Sequence, residues 1–366
     1  MIEYNQDRGA TSICTMESIV KPPFISVVII AHKKVELLQK AITSIVRETF
    51  EKNWELLLVR NGDYPPMTEF IRSLERSTSF PLTVISIPEQ RPGAARNHAI
   101  TRAKGEIVFF LDDDIELFQD IFSAARRIFS KPSVMAAGGA NLTPPSSSYF
   151  ERASGLAMAS YWGTASMSAR YRSATIEHRA NEHDLILCNL AVRRSILCTS
   201  GRIFPSHFVS NEENIFLQNL EQEGLEMVAS PALAVYHKRR SSWQGLAEQC
   251  FKYGKGRAQN CIYLPESFRF LYLIPSSFVL FLAMLFVRGS AQNELHFFIW
   301  PVLFYCFFCL VFSLKDFFAT KSIRIFSLQS FIYLLVHVSY GVGFLQGGFS
   351  WAWRRKKLCE VIPREC

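Results

Sequence analysis

Three consecutive carboxylates, Asp112-Asp113-Asp114, directly follow the apolar run Ile107-Val108-Phe109-Phe110-Leu111. Five apolar residues bounded by polar ones predict a buried strand in a parallel sheet. Ligands of open α/β sheets bind outside the carboxyl ends of such strands. Like charges gathered there are unfavourable without a cation, and carboxylates are the usual ligands of divalent ones. The spacing therefore predicts an Asp-x-Asp site in which Asp114, together with Asp112, holds Mn²⁺ or Mg²⁺ against a diphosphate. A solvated turn capping a helix from about Leu117 is the plainer reading, but capping requires one carboxylate, not three.

Other residue groups carry chemistry of their own. Asn211-Glu212-Glu213-Asn214 precedes the amphipathic run Ile215, Phe216, Leu217 and Leu220, which puts both acids in the first turn of a helix. Acids there stabilise a helix by ~0.3–1 kcal/mol, and a carboxylate in that position can also remove a proton. His237 follows the apolar stretch 232–236 and precedes three cations; a neutral imidazole is a competent metal ligand, and a structural histidine is an equal alternative. Arg96 stands near a helix start, suited to a phosphate or to an ion pair with Asp112. Gln249, Lys252 and Tyr253 share one helix face, which reads either as a ligand-facing surface or as an amphipathic helix lying on a membrane.

The elements that must position these groups alternate. Strands are predicted at 25–30, 56–59, 82–87, 107–111 and 134–137, with helices at 37–46, 67–76 and 94–103. Such alternation predicts an α/β domain, a doubly wound and mostly parallel sheet. There is no internal repeat, and Pro144-Pro145-Ser146-Ser147-Ser148 is a short loop.

The chain has 366 residues, room for one catalytic domain and a smaller part. Its composition changes at Phe270, after which apolar and aromatic residues dominate. The expected divisions are an N-terminal extension (1–23), a catalytic domain (24–236), a basic juxtamembrane region (237–269), an apolar membrane region (270–349) and a basic tail (350–366). Nine cysteines without ordered spacing argue against a disulfide framework or zinc site and for a reducing cytoplasm. Residues 1–21 carry acids and no apolar core, so no signal peptide is expected. The net charge of +8 is concentrated in part at Lys238, Arg239, Arg240, Lys252, Lys255 and Arg257. No nucleic-acid motif accompanies that patch; a cytoplasmic flank facing membrane lipids accounts for it.

Segments 270–287 and 297–314 are each long enough to cross a bilayer, which takes ~20 residues. The segment 325–349 is diluted by Gln329, His337, Gln346 and four glycines. Three crossings would put Arg354-Arg355-Lys356-Lys357 outside, against the positive-inside tendency. Charge thus favours two crossings with a re-entrant or interfacial third segment, while length favours three.

The ordered series ISVVIIAHKKVELL, LLLVRNGD, RPGAARNHAI and FFLDDDIEL, followed by NLAVRRS and SNEENIFLQNLEQEG, resembles the GT-A fold of family 2 glycosyltransferases. Within that family it is similar to exopolysaccharide enzymes of the succinoglycan-biosynthesis type. The resemblance runs from about Ile25 to Arg257. It implies an inverting, metal-dependent transfer of a hexose from a nucleotide-sugar, a UDP-sugar favoured, to a lipid-linked saccharide or polysaccharide acceptor at the cytoplasmic membrane face. It further implies donor contacts from Ala31, His32, Glu36, Arg60, Arg96, Asp112 and Asp113. Asp112 would face the ribose and Asp114 the metal, with His237 nearby. Glu213 would be the general base, and Glu212, Asn189, Arg193, Gln249, Lys252 and Tyr253 would lie on the acceptor and diphosphate side.

Three positions depart from the family pattern. Arg60 stands where an Asp usually meets the base, and Arg offers donors only. Glu213 replaces the commoner Asp, and Lys252 replaces an Arg, which loses bidentate geometry. A polyprenyl-phosphate sugar synthase is the near alternative. A sugar nucleotidyltransferase would need a Gly-rich loop where the chain has AHKKVE. A membrane scaffold with a degenerate site would not need the triplet or Glu213.

Overall fold

Branched and aromatic residues with full burial on both faces build the centre of the molecule. The computed structural model describes residues 24–49, 53–198, 204, 205, 208, 210–288 and 295–361. The extension 1–23 and the last residues of the tail lie outside them. Strands β1 (Ile25–Ala31), β2 (Trp54–Asn61), β3 (Leu82–Ile87) and β4 (Ile107–Leu111) are parallel, joined through helices α1 (Val35–Glu48), α2 (Pro65–Ser77) and α3 (Pro92–Ile100). Each lies within a few residues of its expected position, because long apolar runs between Gly, Pro and Asn signals fix both kind and place.

The chain continues through β5 (Ile115–Glu116), α4 (Ile121–Phe129), β6 (Val134–Gly138), β7 (Asn141–Leu142), α5 (Tyr149–Ala159), α6 (Tyr161–Thr164) and a 3₁₀ turn over Ala165–Tyr171. Then come β8 (His178–Arg179), β9 (Asn189–Arg193), α7 (Arg194–Leu197), α8 (Glu212–Gln222), β10 (Glu226–Ala229), β11 (Val235–His237) and α9 (Trp243–Tyr263). The main sheet has eight strands in the order β3-β2-β1-β4-β9-β6-β10-β8, and β5, β11 and β7 form a second small sheet. Strand β9 runs antiparallel to both its neighbours, β4 and β6. A fully buried strand has the same apolar run in either direction, so its sense is invisible to periodicity. The helix after the triplet starts at Ile121, not Leu117, because β5 intervenes; the Asp120 side chain caps it by accepting from the Phe122 and Ser123 amides.

Alternate strand residues feed two cores, one on each face of the sheet. Ile25, Val27, Leu56, Leu58 and Phe109 pack under α1, α2 and α4. Val28, Leu57, Val59, Val108 and Phe110 pack under α3 and α8. The part built on the main sheet is thus a three-layer α/β sandwich.

Helices α10 (Ile274–Arg288), α11 (Leu295–Thr320) and α12 (Ile323–Val361) follow. The segments Phe270–Val287, Ile299–Thr320 and Ile323–Ser350 are each long and apolar enough to cross a membrane. Among them α12 differs: 39% of its apolar window is buried within the protein, against 11% for each of the others. It packs along α5 and α9, and the contact with α9 is backbone-close. A Cβ on Gly254 would stand 2.0 Å from the Tyr340 carbonyl oxygen, and one on Gly343 2.1 Å from that of Phe251. Only glycine permits that approach.

Candidate active site

The register of the sheet assembles the site. β1 and β4 pair with Ile29 opposite Leu111, so the loop after Ala31 and the aspartate triplet leave the sheet side by side. Strand β11 then pairs antiparallel with β5, His237 opposite Ile115, and the Lys238 amide donates to the Asp114 carbonyl at 3.0 Å. A residue more than 120 positions downstream is carried onto the triplet by these few backbone bonds.

His237 Nε2 lies 3.1 Å from Asp114 Oδ1 and 3.7 Å from Asp112 Oδ2. One ligand atom from each of the three residues falls within 4.8 Å of the others. Two carboxylates and an imidazole are a donor set that fits Mn²⁺ or Mg²⁺. Burial opposes charge on all of them, but their mutual attraction prevails. It holds Asp114 well below the usual carboxylate range and raises His237 to about 9. Asp112 is also lowered against its burial, by His237 and Arg96. Asp113, which lacks such partners, is pushed by burial up to about 6, with Lys34 opposing.

Arg96 is the bridge to the second half of the site. Its guanidinium donates to Asp112 Oδ1 at 3.0 Å and to Glu212 Oε1 at 2.8 Å. The close approach of α3 to α8 that this needs is set at Gly93, whose added Cβ would stand 2.8 Å from the Pro205 carbonyl oxygen and 3.3 Å from Glu212 Cγ. Burial pushes the Glu212 carboxyl up to about 7, against the pull of Arg96. Glu213, its neighbour in the first turn of α8, faces Arg170 at 3.4 Å. Arg170 itself donates to Asn214 Oδ1 and to the Glu182 and His183 carbonyls.

The remaining expected residues divide. Ala31 is fully buried at the end of β1. His32 Nδ1 donates to the Asn61 carbonyl at 2.7 Å, and its Nε2 lies 3.5 Å from Glu89. Glu36 is exposed in the first turn of α1. Arg60 turns toward α2 and β3, donating to Thr68 Oγ1 at 2.6 Å and Ser86 Oγ at 3.2 Å. Asn189, opposite Leu111, donates to the Leu233 carbonyl and so fastens β9 to the approach of β11. Arg193 is not brought to the site. It pairs with Ile107, at the far end of β4, and donates to the carbonyls of Val134, Phe129 and Lys131. NLAVR is a strand of five residues, and the four steps along it carry its ends ~13 Å apart.

On α9, Gln249 donates to the Tyr253 hydroxyl, while the Lys252 side chain is exposed. Tyr253 meets Tyr171, over whose ring Arg239 lies at 5.1 Å. Three side chains at the site were not foreseen in the sequence: Lys34, on Asp113 and Asp114; Arg170, on Glu213; and Arg239, which donates to Asn141 and Thr143. Lys34 was within reach, inside the AHKKVELL motif. Arg170 lies in no motif and is delivered by a 3₁₀ turn that periodicity does not show.

Residues 26–198 match the family model described as glycosyl transferase family 2. Among curated proteins, the glycosyltransferase AglE of Haloferax volcanii is 27% identical over 245 residues, covering 65% of this chain and 74% of the relative. Among solved structures, the mannosyltransferase PcManGT from Pyrobaculum calidifontis, described in complex with GDP-Man and Mn²⁺, superposes with a TM-score of 0.61. That match is 14% identical and covers 89% of this chain and 88% of the neighbour, a likeness of fold. With the ordered motifs, the sheet order and the acidic cluster at the end of β4, these matches identify a family 2 glycosyltransferase domain of the GT-A fold within the chain.

Proposed function

We propose that the enzyme moves a sugar, with inversion, from a nucleoside-diphosphate donor to a saccharide acceptor held at the membrane on a lipid or a growing polysaccharide. The observation that carries this reading is the convergence of Asp112, Asp114 and His237, linked through Arg96 to the acids of α8. Asp112, Asp114 and His237 would hold Mn²⁺ or Mg²⁺, which neutralises diphosphate charge when bound.

The chain's own residues account for the rest. Glu212 is engaged by Arg96 and so serves to fix the arginine against Asp112. Among the described residues the side chain of Glu213 has only the longer contact with Arg170, and it is the general base. It takes the acceptor hydroxyl's proton as that oxygen bonds to the anomeric carbon and the sugar–phosphate bond breaks. Glu212 is the second reading, because a carboxyl pushed up to about 7 suits a base near neutral pH. On the donor side, Arg60 is occupied by Thr68 and Ser86. The base is then met by the backbone at Ala31 and His32. A UDP-sugar is the favoured donor, and a guanine donor is the alternative. The polyprenyl-phosphate synthase reading differs only in the acceptor.

The catalytic domain faces the cytoplasm, supported by the cations that precede the apolar region. A larger share of α12 than of α10 or α11 is buried within the protein, much of it against α5 and α9, which supports two crossings, α10 and α11, with α12 at the interface.

Membranes containing the protein should transfer radiolabel from one nucleotide-sugar to a lipid-extractable or polymeric product, lose the activity in EDTA and regain it with Mn²⁺ or Mg²⁺. Undiminished transfer in EDTA would remove the metal from the reading. Equilibrium binding of UDP, GDP and dTDP with Mn²⁺ should favour UDP; preference for GDP would reverse the donor assignment.

A further inference from the structure

We propose that Lys34 is a donor-site residue with two working positions. Without donor it is the resident cation of Asp113 and Asp114; once a divalent ion takes Asp114, it moves to the diphosphate. The inference rests on the metal reading of the triplet given above.

Lys34 is the residue before α1, at the mouth of the loop that leaves β1. Because β1 and β4 are adjacent and parallel, that loop overhangs the triplet. The Lys34 ammonium contacts Asp114 Oδ2 directly and stands 3.5 Å from Asp113 Oδ1. The other oxygen of Asp114 faces His237. Asp114 is thus already neutralised on both sides by groups of the protein. A divalent ion bound to Asp114 would bring two positive charges against the ammonium, and like charges so close repel strongly in a partly buried site. The two cations therefore compete for one carboxylate.

Lys34 has somewhere to go. Its side chain is 40% exposed, while those of Asp113 and Asp114 are 13% and 5% exposed. A flexible four-carbon stem carries a point charge with three donors, which suits phosphate oxygens without fixed geometry. Arg240, which acts on Lys34 as a repelling charge, adds to the electropositive surroundings a diphosphate would enter. Exchange of this kind couples the two ligands. The ion releases the lysine, the lysine adds to diphosphate affinity, and by reciprocity the diphosphate favours the ion.

The test uses the full-length protein in detergent, with Mn²⁺ binding followed by calorimetry and by the loss of free-ion paramagnetic signal. Lys34→Met should tighten Mn²⁺ alone about tenfold and, at saturating Mn²⁺, weaken UDP or GDP about tenfold, both within the usual span of linked binding. Lys34→Arg should keep most of the nucleotide affinity. A lysine that only neutralises the aspartates would leave nucleotide affinity at saturating Mn²⁺ unmoved, and that result overturns the proposal. Unchanged or weaker Mn²⁺ binding in Lys34→Met overturns it too. Asp114→Asn separates the two readings. If wild type binds no Mn²⁺, or binds it equally well as Asp114→Asn, the metal reading itself fails. If Asp114→Asn abolishes binding and Lys34→Met changes nothing, only the lysine inference does.

Discussion

Arg96 joins the two halves of the candidate site in one side chain, with Asp112 on one nitrogen and Glu212 on the other. Its position in RPGAARNHAI was legible as a place for an anion. That it would grip an acid from α8 was not, because 116 residues separate the partners and only the fold sets them together. The same holds for Glu213, whose place in a helix's first turn is plain in the sequence, whereas its Arg170 partner is not. Replacing Glu213 by Gln preserves shape and removes basicity. Turnover should fall ~10²–10⁴-fold with donor binding intact, as measured by single-turnover transfer and nucleotide titration. Near-normal turnover, with the same loss appearing in Glu212→Gln, would move the base one residue back.

Between elements, the strand and helix runs from β1 to β4, and then β6, were readable because each is apolar and punctuated. The antiparallel sense of β9, the two-residue β5 and the 3₁₀ turn over 165–171 were not, since short or doubly buried segments leave no distinguishing period. Those unread pieces are the ones that close the site. One of their ties is testable through stability. Arg257 of α9 pairs with buried Glu182 at 3.3 Å and lies 4.7 Å over the Tyr272 ring. Burial would raise Glu182, but Arg257 prevails and holds it below the usual glutamate value of 4.5. A depressed folded pKa means the stabilisation is present above the unfolded value and is lost as pH falls through the folded one. Glu182→Gln should cost about 3–5 kcal/mol at neutral pH by stranding Arg257. It should also flatten the decline below pH 4.5, read from denaturant unfolding in detergent across that range. An unaltered acid limb would assign the decline to other carboxyls.

At the scale of the whole molecule, composition alone located the change at Phe270, and the three apolar segments are indeed helical. What composition did not reveal is that α12 belongs as much to the catalytic part as to the membrane part. Gln329 and His337, which dilute its apolar character, have partners within the protein: Asp316 and Tyr333 for the first, Tyr305 and the Trp162 carbonyl for the second. A reporter fused after Cys366 should therefore read out on the catalytic side of the membrane. A signal from the opposite side would establish three crossings and override the distribution of Lys and Arg.

The pairing of β11 with β5 has a consequence for where this enzyme can be cut. The segment matched by the family model ends at residue 198, and a fragment ending there would keep every aspartate of the triplet. It would lack His237, both acids of α8 and the Arg257 tie, so Asp112 and Asp114 would face solvent with neither their imidazole nor the far side of Arg96. Division of labour here does not follow chain order. The acidic cluster of the first half is completed only by residues synthesised after it, and a fragment that keeps all of these contacts has to run on into α9.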